Sequence, residues 1–173
     1  MKNTKVYSVF PACGKSWLWR NQEAYDLSIL DSDSSYFSWI WECPEVDERG
    51  MYSPKAKKTN ERNPSFPQNY IDHIRCMVKS GKYDYIFVSS HESVRNALDK
   101  AGIDYTIVYP EASCKAEWVG RCYIREQKGE SGCGPQVLYN NWENWIRDCY
   151  ECGLNHKELV LGPREYLKHY LTY

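Results

Sequence analysis

No run in this chain approaches the roughly 20 apolar residues that a membrane-spanning helix needs. Its first residues, Met1-Lys2-Asn3-Thr4-Lys5, lead straight into a strand-like run and not into the apolar stretch of a secretory signal. A dominant charge is missing as well. The formal net charge is −1 with 26% charged residues, so the global balance calls for neither nucleic acid nor an anionic membrane, and any basic surface has to be local. Internal repeats and low-complexity tracts are absent, which removes solenoids and disordered arrays from consideration. The expectation is a cytoplasmic protein with no membrane partner. At 173 residues it should form one domain, 1–173, around one core.

Cysteine is plentiful, with eight residues, but neither regular spacing nor a secretion signal accompanies it, so these read as reduced thiols. Cys149-x-x-Cys152 followed by His156 has the spacing of half a zinc site. A second pair is lacking, which favours two half-buried thiols at a helix end.

The most informative segment is Pro11-Ala12-Cys13-Gly14-Lys15-Ser16-Trp17, directly after the apolar run Val6-Tyr7-Ser8-Val9-Phe10 and directly before helix-like sequence. It reads as a phosphate-binding loop, with Ala12, Cys13, Gly14, Lys15, Ser16 and Trp17 as candidate nucleotide contacts. In Gly14-Lys15-Ser16 a small residue lets backbone N–H groups approach a phosphate, a lysine reaches the outer phosphates and a hydroxyl ligates Mg²⁺. The first glycine of G-x-x-x-x-G-K-[ST] would fall at Val9, so the loop has to turn differently, with Pro11 supplying part of the bend. Cys13 lies inside this loop, where backbone dipoles are expected to lower a thiol pKa.

Farther along, 15–25 reads as a helix and 26–30 as a short strand that ends in Asp31-Ser32-Asp33, the α/β signature. Residues 42–66 lose periodicity, carry Pro44, Pro54 and Pro64, and look like a surface excursion; Lys55, Lys57, Lys58 and Arg62 form a local basic cluster there. A helix at 67–80 bears the stripe Tyr70, Ile71 and Ile74. Residues 83–88 are apolar enough to be the central strand, and Ser89-Ser90-His91 at its tip leads into a helix at 92–100. A strand at 103–109, a helix at 113–125, a glycine-rich stretch at 126–134 and an amphipathic helix at 135–152 follow. A strand at 157–161 and a terminal helix from Pro163 close the chain. The acceptor side of the site is expected at about 42–80 and a lid at about 115–134.

Phosphoryl transfer needs charge neutralisation, in-line positioning, and a base or cationic clamps for the acceptor. Lys15 and Ser16 would hold the triphosphate and Mg²⁺. Asp31 and Asp33 fall where an open α/β sheet places an acceptor, and Asp33, further into the crevice, is the one expected to face the phosphates. The same serine-flanked pair also suits an Asx turn or helix cap. Arg121 and Arg125, four apart on one helix face, suit either a lid that stabilises the transition state or a solvated face of ion pairs. Ser89, His91 and Arg95 are candidate acceptor contacts, Arg95 with the alternative of a plain helix-surface arginine.

Phe-Pro-Ala-Cys-Gly-Lys-Ser at 10–16, Asp-Ser-Asp at 31–33 and the arginine pair 121/125 resemble the small P-loop kinases of the nucleoside monophosphate kinase and shikimate kinase type, and especially the short kinase-like proteins of tailed bacteriophages. The resemblance implies a three-layer α/β fold with a five-stranded parallel sheet in order 2-3-1-4-5. It implies ATP and Mg²⁺ as cofactors, a nucleotide-type acceptor, and the host cytoplasm as location. A second implied acceptor is the hydroxymethyl group of a modified pyrimidine in phage DNA. The chain departs from the family at Val9 and at the central strand's end, Ser89-Ser90 in place of an aspartate. The second metal contact would then fall to Ser89 through water or to Asp33. Those departures also suit a non-catalytic protein that binds and sequesters a nucleotide.

Overall fold

A computed structural model of the chain describes residues 2–42, 45, 55–130 and 132–172. The elements are β1 (Lys5–Val9), α1 (Lys15–Arg20), a 3₁₀ turn (Gln22–Tyr25), β2 (Ile29–Asp31), α2 (Ser35–Ser38), β3 (Trp39–Glu42), β4 (Lys57–Arg62), α3 (Gln68–Ser80) and β5 (Tyr85–Ser89). Then come α4 (Glu92–Lys100), β6 (Thr106–Pro110), a 3₁₀ turn (Ala112–Cys114), α5 (Lys115–Gln127), α6 (Pro135–Gly153), β7 (Lys157–Leu161) and α7 (Lys168–Leu171).

Five strands form one parallel sheet flanked by helices, in the order β2-β5-β1-β6-β7. The numbering differs from the expected 2-3-1-4-5 for a definite reason. The surface excursion contains two strands of its own, β3 and β4, which pair antiparallel as a separate hairpin and take the third and fourth numbers. Periodicity did not reveal them because five of the six residues of β4 are exposed and polar. Residues 43, 44 and 46–54, with Pro44 and Pro54, lie outside the described residues.

The sheet centre is dry. Ile86, Phe87 and Val88 of β5 and Ile107 and Val108 of β6 are fully buried, as strands covered on both faces must be. Covering helices present one apolar stripe each: Tyr70, Ile71 and Ile74 from α3, Trp118 and Cys122 from α5, and Leu138, Trp142, Ile146 and Cys149 from α6. Pro135 starts α6 at a position where its missing N–H costs nothing.

Two helices are shorter than their sequence suggests. The expected helix at 15–25 breaks at Asn21, whose side-chain amide donates to the Trp17 carbonyl at 2.7 Å and competes with the backbone; a 3₁₀ turn continues it. The terminal helix does not start at Pro163. Arg164 adopts a left-handed φ of 64° and gives its backbone N–H to the Glu117 carboxylate at 3.0 and 3.1 Å, so helical structure resumes only at Lys168. Among the described residues, no helix is long and apolar enough to cross a membrane.

Candidate functional site

The loop 10–16 leaves the carboxyl end of β1, the middle strand of the sheet, where open α/β sheets bind ligands. The Phe10 N–H is still held by the Val108 carbonyl at 2.8 Å, and the turn follows immediately. Ala12 has φ 60° and Gly14 has φ 95°. Only glycine suits position 14, because a side chain there would be strained and its Cβ would lie 3.2 Å from the Tyr166 ring. The Lys15 ammonium folds back over the loop and donates to the Val9 carbonyl at 3.4 Å. Trp17 is exposed beside the loop, with the Lys168 ammonium 4.7 Å from its ring centroid.

Ser16 meets a carboxylate. Its hydroxyl donates to Asp31 Oδ2 at 2.8 Å. Asp31 is the last residue of β2, and β2 lies beside β5, so the sheet carries this carboxylate to the first turn of α1. The expectation that Asp33, and not Asp31, faces the loop at 10–16 is corrected. The strand ends at Asp31, and the exposed Asp33 accepts the Ser35 N–H at 2.8 Å in an Asx turn, closer to its alternative reading. Ser32 between them is buried, held by the Phe87 carbonyl at 3.0 Å and by the Tyr70 hydroxyl at 2.7 Å, which fixes both carboxylates' backbone.

Ser89 closes β5, and its hydroxyl accepts the His91 N–H at 3.4 Å. Desolvation is the main cause of a lowered His91 pKa, joined by the positive charges of Lys15, Arg62 and Arg95 and opposed by Asp33. His91 is therefore neutral at pH 7 and shares an electrostatic neighbourhood with Lys15, Asp33 and the end of β4. Arg62 ends that strand and stacks on the hairpin's Trp39, 3.9 Å from its ring centroid, with Lys58 at 4.6 Å.

Arg95 acts on this crevice through its charge on His91 alone, because its guanidinium is bonded elsewhere. It occupies the buried face of α4 with Val94 and Leu98, is 4% exposed, and donates to the Asp148 carbonyl at 3.2 Å and to Cys149 Sγ at 3.7 Å. Neither the acceptor role nor the helix-surface alternative describes it.

The arginine pair divides. Arg121 is not poised over the crevice as a lid residue. Its side chain is 10% exposed, lies between the Trp118 and Tyr166 rings at 3.7 and 3.9 Å, and donates to the carbonyls of Ala12 and Glu165 and to the Glu117 carboxylate. Arg125 turns toward the glycine-rich stretch, 3.8 Å from the Glu130 carboxylate and against Gly132.

The expectation for Cys13 is reversed too. Burial outweighs the nearby Lys15 charge and pushes its thiol up to about 12, so it is neither acidic nor nucleophilic at pH 7. Cys149, Cys152 and His156 have separate partners in Arg95, the Tyr105 hydroxyl at 3.3 Å and Asp99 at 3.3 Å. Among the described residues, no three His, Cys, Asp or Glu side chains are grouped to hold a metal. Ser16 with Asp31 instead offers two oxygens side by side, a donor set that fits Mg²⁺ completed by phosphates and water.

Sequence reasoning missed the contribution of Tyr166 and Leu167, which the fold returns to the loop from the far end of the chain. No local signal marked them. No family model, curated protein or solved structure matches this chain.

Proposed function

We propose that this chain is a P-loop kinase that transfers the γ-phosphoryl group of ATP·Mg²⁺ to a nucleotide-type acceptor. The observation that carries the reading is the contact between Ser16 of the phosphate loop and Asp31 at the tip of β2, since it supports a cation site where the β- and γ-phosphates would lie. The acceptor oxygen attacks the γ-phosphorus, the bond to the β,γ-bridging oxygen breaks, and ADP leaves with that electron pair. Lys15 exchanges the Val9 carbonyl for the outer phosphates and neutralises charge developing there. Ser16 and Asp31 would hold Mg²⁺, which would supply Lewis-acid charge stabilisation. Asp33 and neutral His91 face the acceptor side and orient its hydroxyl or phosphate.

Two other readings each have an observation in their favour. The cations of β4 around Trp39 suit DNA as the acceptor, with phosphorylation of a hydroxymethyl group on a modified pyrimidine; affinity would then fall steeply with salt. The lack of a carboxylate at the end of β5 suits a protein that binds and sequesters a nucleotide without turnover.

Equilibrium titration with ATP, with and without Mg²⁺, tests the reading. Wild type should bind in a Mg²⁺-dependent manner and Lys15→Ala should lose that binding; equal affinity in all four titrations would reject the nucleotide site.

A further inference from the structure

We propose that Arg121 is a positioning residue which, together with the backbone of Leu167, sets the phosphate loop so that the N–H groups of Cys13 and Gly14 face the bound phosphate. The inference rests on the reading of 10–16 as a nucleotide site and explains how the loop works with Val9 where a glycine is usual. Val9 is buried within β1, 1% exposed, so the turn cannot start there and the backbone reverses later, through the positive φ of Ala12 and Gly14.

Two consecutive loop carbonyls are held from behind. Ala12 O accepts from Arg121 Nη1 at 3.2 Å, and Cys13 O accepts the Leu167 N–H at 3.0 Å. A trans peptide is planar, with its C=O and N–H pointing in opposite directions. Drawing the Ala12 and Cys13 carbonyls back therefore turns the next N–H groups, those of Cys13 and Gly14, forward. Among the described residues, neither N–H has a hydrogen-bond partner in the protein. Successive unpaired N–H groups in a turn of this kind form an anion-binding concavity.

The holding group is itself held. Arg121 is fixed between Trp118 and Tyr166 and tied to the Glu117 carboxylate and the Glu165 carbonyl, while its buried Nε has no partner among the described residues. Tyr166 also packs on Gly14, and Leu167 is fully buried. Segment 162–171 thus backs the loop while Lys15 and Ser16 work at its front.

The test uses ¹⁵N-labelled protein and inorganic tripolyphosphate, which probes the phosphate site without a base. In wild type, the Cys13 and Gly14 amide resonances should shift on titration. In Arg121→Lys, which keeps a charge and one donor, these two resonances should already be displaced in the ligand-free protein, and affinity should fall on the order of tenfold. Arg121→Ala should fall further. An arginine that merely contacts phosphate would leave the ligand-free resonances unchanged, and one that merely stabilises the fold would lower Tm without changing affinity below it; either result overturns the proposal. If the wild-type resonances do not respond to tripolyphosphate, the nucleotide-site reading falls and the inference falls with it. Loss of binding in Lys15→Ala with wild-type behaviour in both Arg121 variants would sink the positioning role alone. Should Arg121→Ala fail to fold, Arg121→Lys carries the same comparison.

Discussion

Ser16 Oγ lies 2.8 Å from Asp31 Oδ2, which joins the first turn of α1 to the end of β2. Mg²⁺ prefers one or two carboxylates supplemented by phosphate oxygens and water, so a cation seated here would replace the hydroxyl proton's contact with its own. Asp31→Asn is expected to raise the Mg²⁺ concentration needed for half-maximal ATP binding by about tenfold or more, a change worth roughly 1.4 kcal/mol. Asp33→Asn should leave that requirement unchanged and slow transfer by on the order of 10²-fold, the scale of a misplaced acceptor. Magnesium titrations of ATP binding and of initial rate separate the two carboxylates; the opposite assignment would return Asp33 to the metal.

Arg95 separates structure from catalysis. Its nearly buried guanidinium serves the Asp148 carbonyl and the Cys149 sulfur on α6. Arg95→Met is expected to destabilise the fold by about 1–3 kcal/mol, through loss of charge-assisted hydrogen bonds, without changing the KM for acceptor. Urea unfolding and steady-state kinetics check this. A raised KM with unchanged stability would put Arg95 back at the acceptor.

The thiols should react according to burial. Burial holds Cys13 and Cys149 at about 12, whereas Cys76 is exposed on α3. At about pH 8, iodoacetamide should modify Cys76 well before Cys13 and Cys149, which it should reach only on unfolding. Peptide mapping by mass spectrometry reads the order, and early labelling of Cys13 would contradict the enclosed loop.

Much of this arrangement was legible in the sequence. Residues 83–88 announced a strand covered on both faces, although the middle strand is β1 and not β5, and the sequence after β1 announced a turn into a helix, because both signals are local. What was not legible is long-range. Arg121 shares a helix face with Arg125, which suggests one role for both, but the site of each guanidinium depends on Trp118, on Tyr166 and on an Ala12 carbonyl 109 residues away. Arg95 looked exposed because helix residues usually are; its bonds to the Asp148 carbonyl and Cys149 sulfur of α6 decided otherwise. Strands β3 and β4 escaped notice because a hairpin outside the core needs no apolar alternation.

Acid should weaken the fold through two histidines. Burial lowers the His73 pKa, its Nε2 lacks a hydrogen-bond partner among the described residues, and desolvation followed by neighbouring cations lowers that of His91, both from 6.5. Below about pH 6.5 the unfolded chain binds more protons than the folded one, so stability is full above that pH and declines as pH falls toward the folded values. Urea midpoints between about pH 7.5 and about pH 5 should fall for wild type and fall less for His73→Leu; parallel slopes would remove His73 from the account.

Transfer of radiolabelled γ-phosphate from ATP·Mg²⁺ tests the central claim most directly, with nucleoside monophosphates and hydroxymethyluracil-containing DNA as parallel acceptors and Lys15→Ala as the control. Label appearing in one acceptor class, and lost in the variant, is the expected result. Tight Mg²⁺-dependent nucleotide binding with no label in either acceptor would contradict the kinase and leave a protein that sequesters its nucleotide.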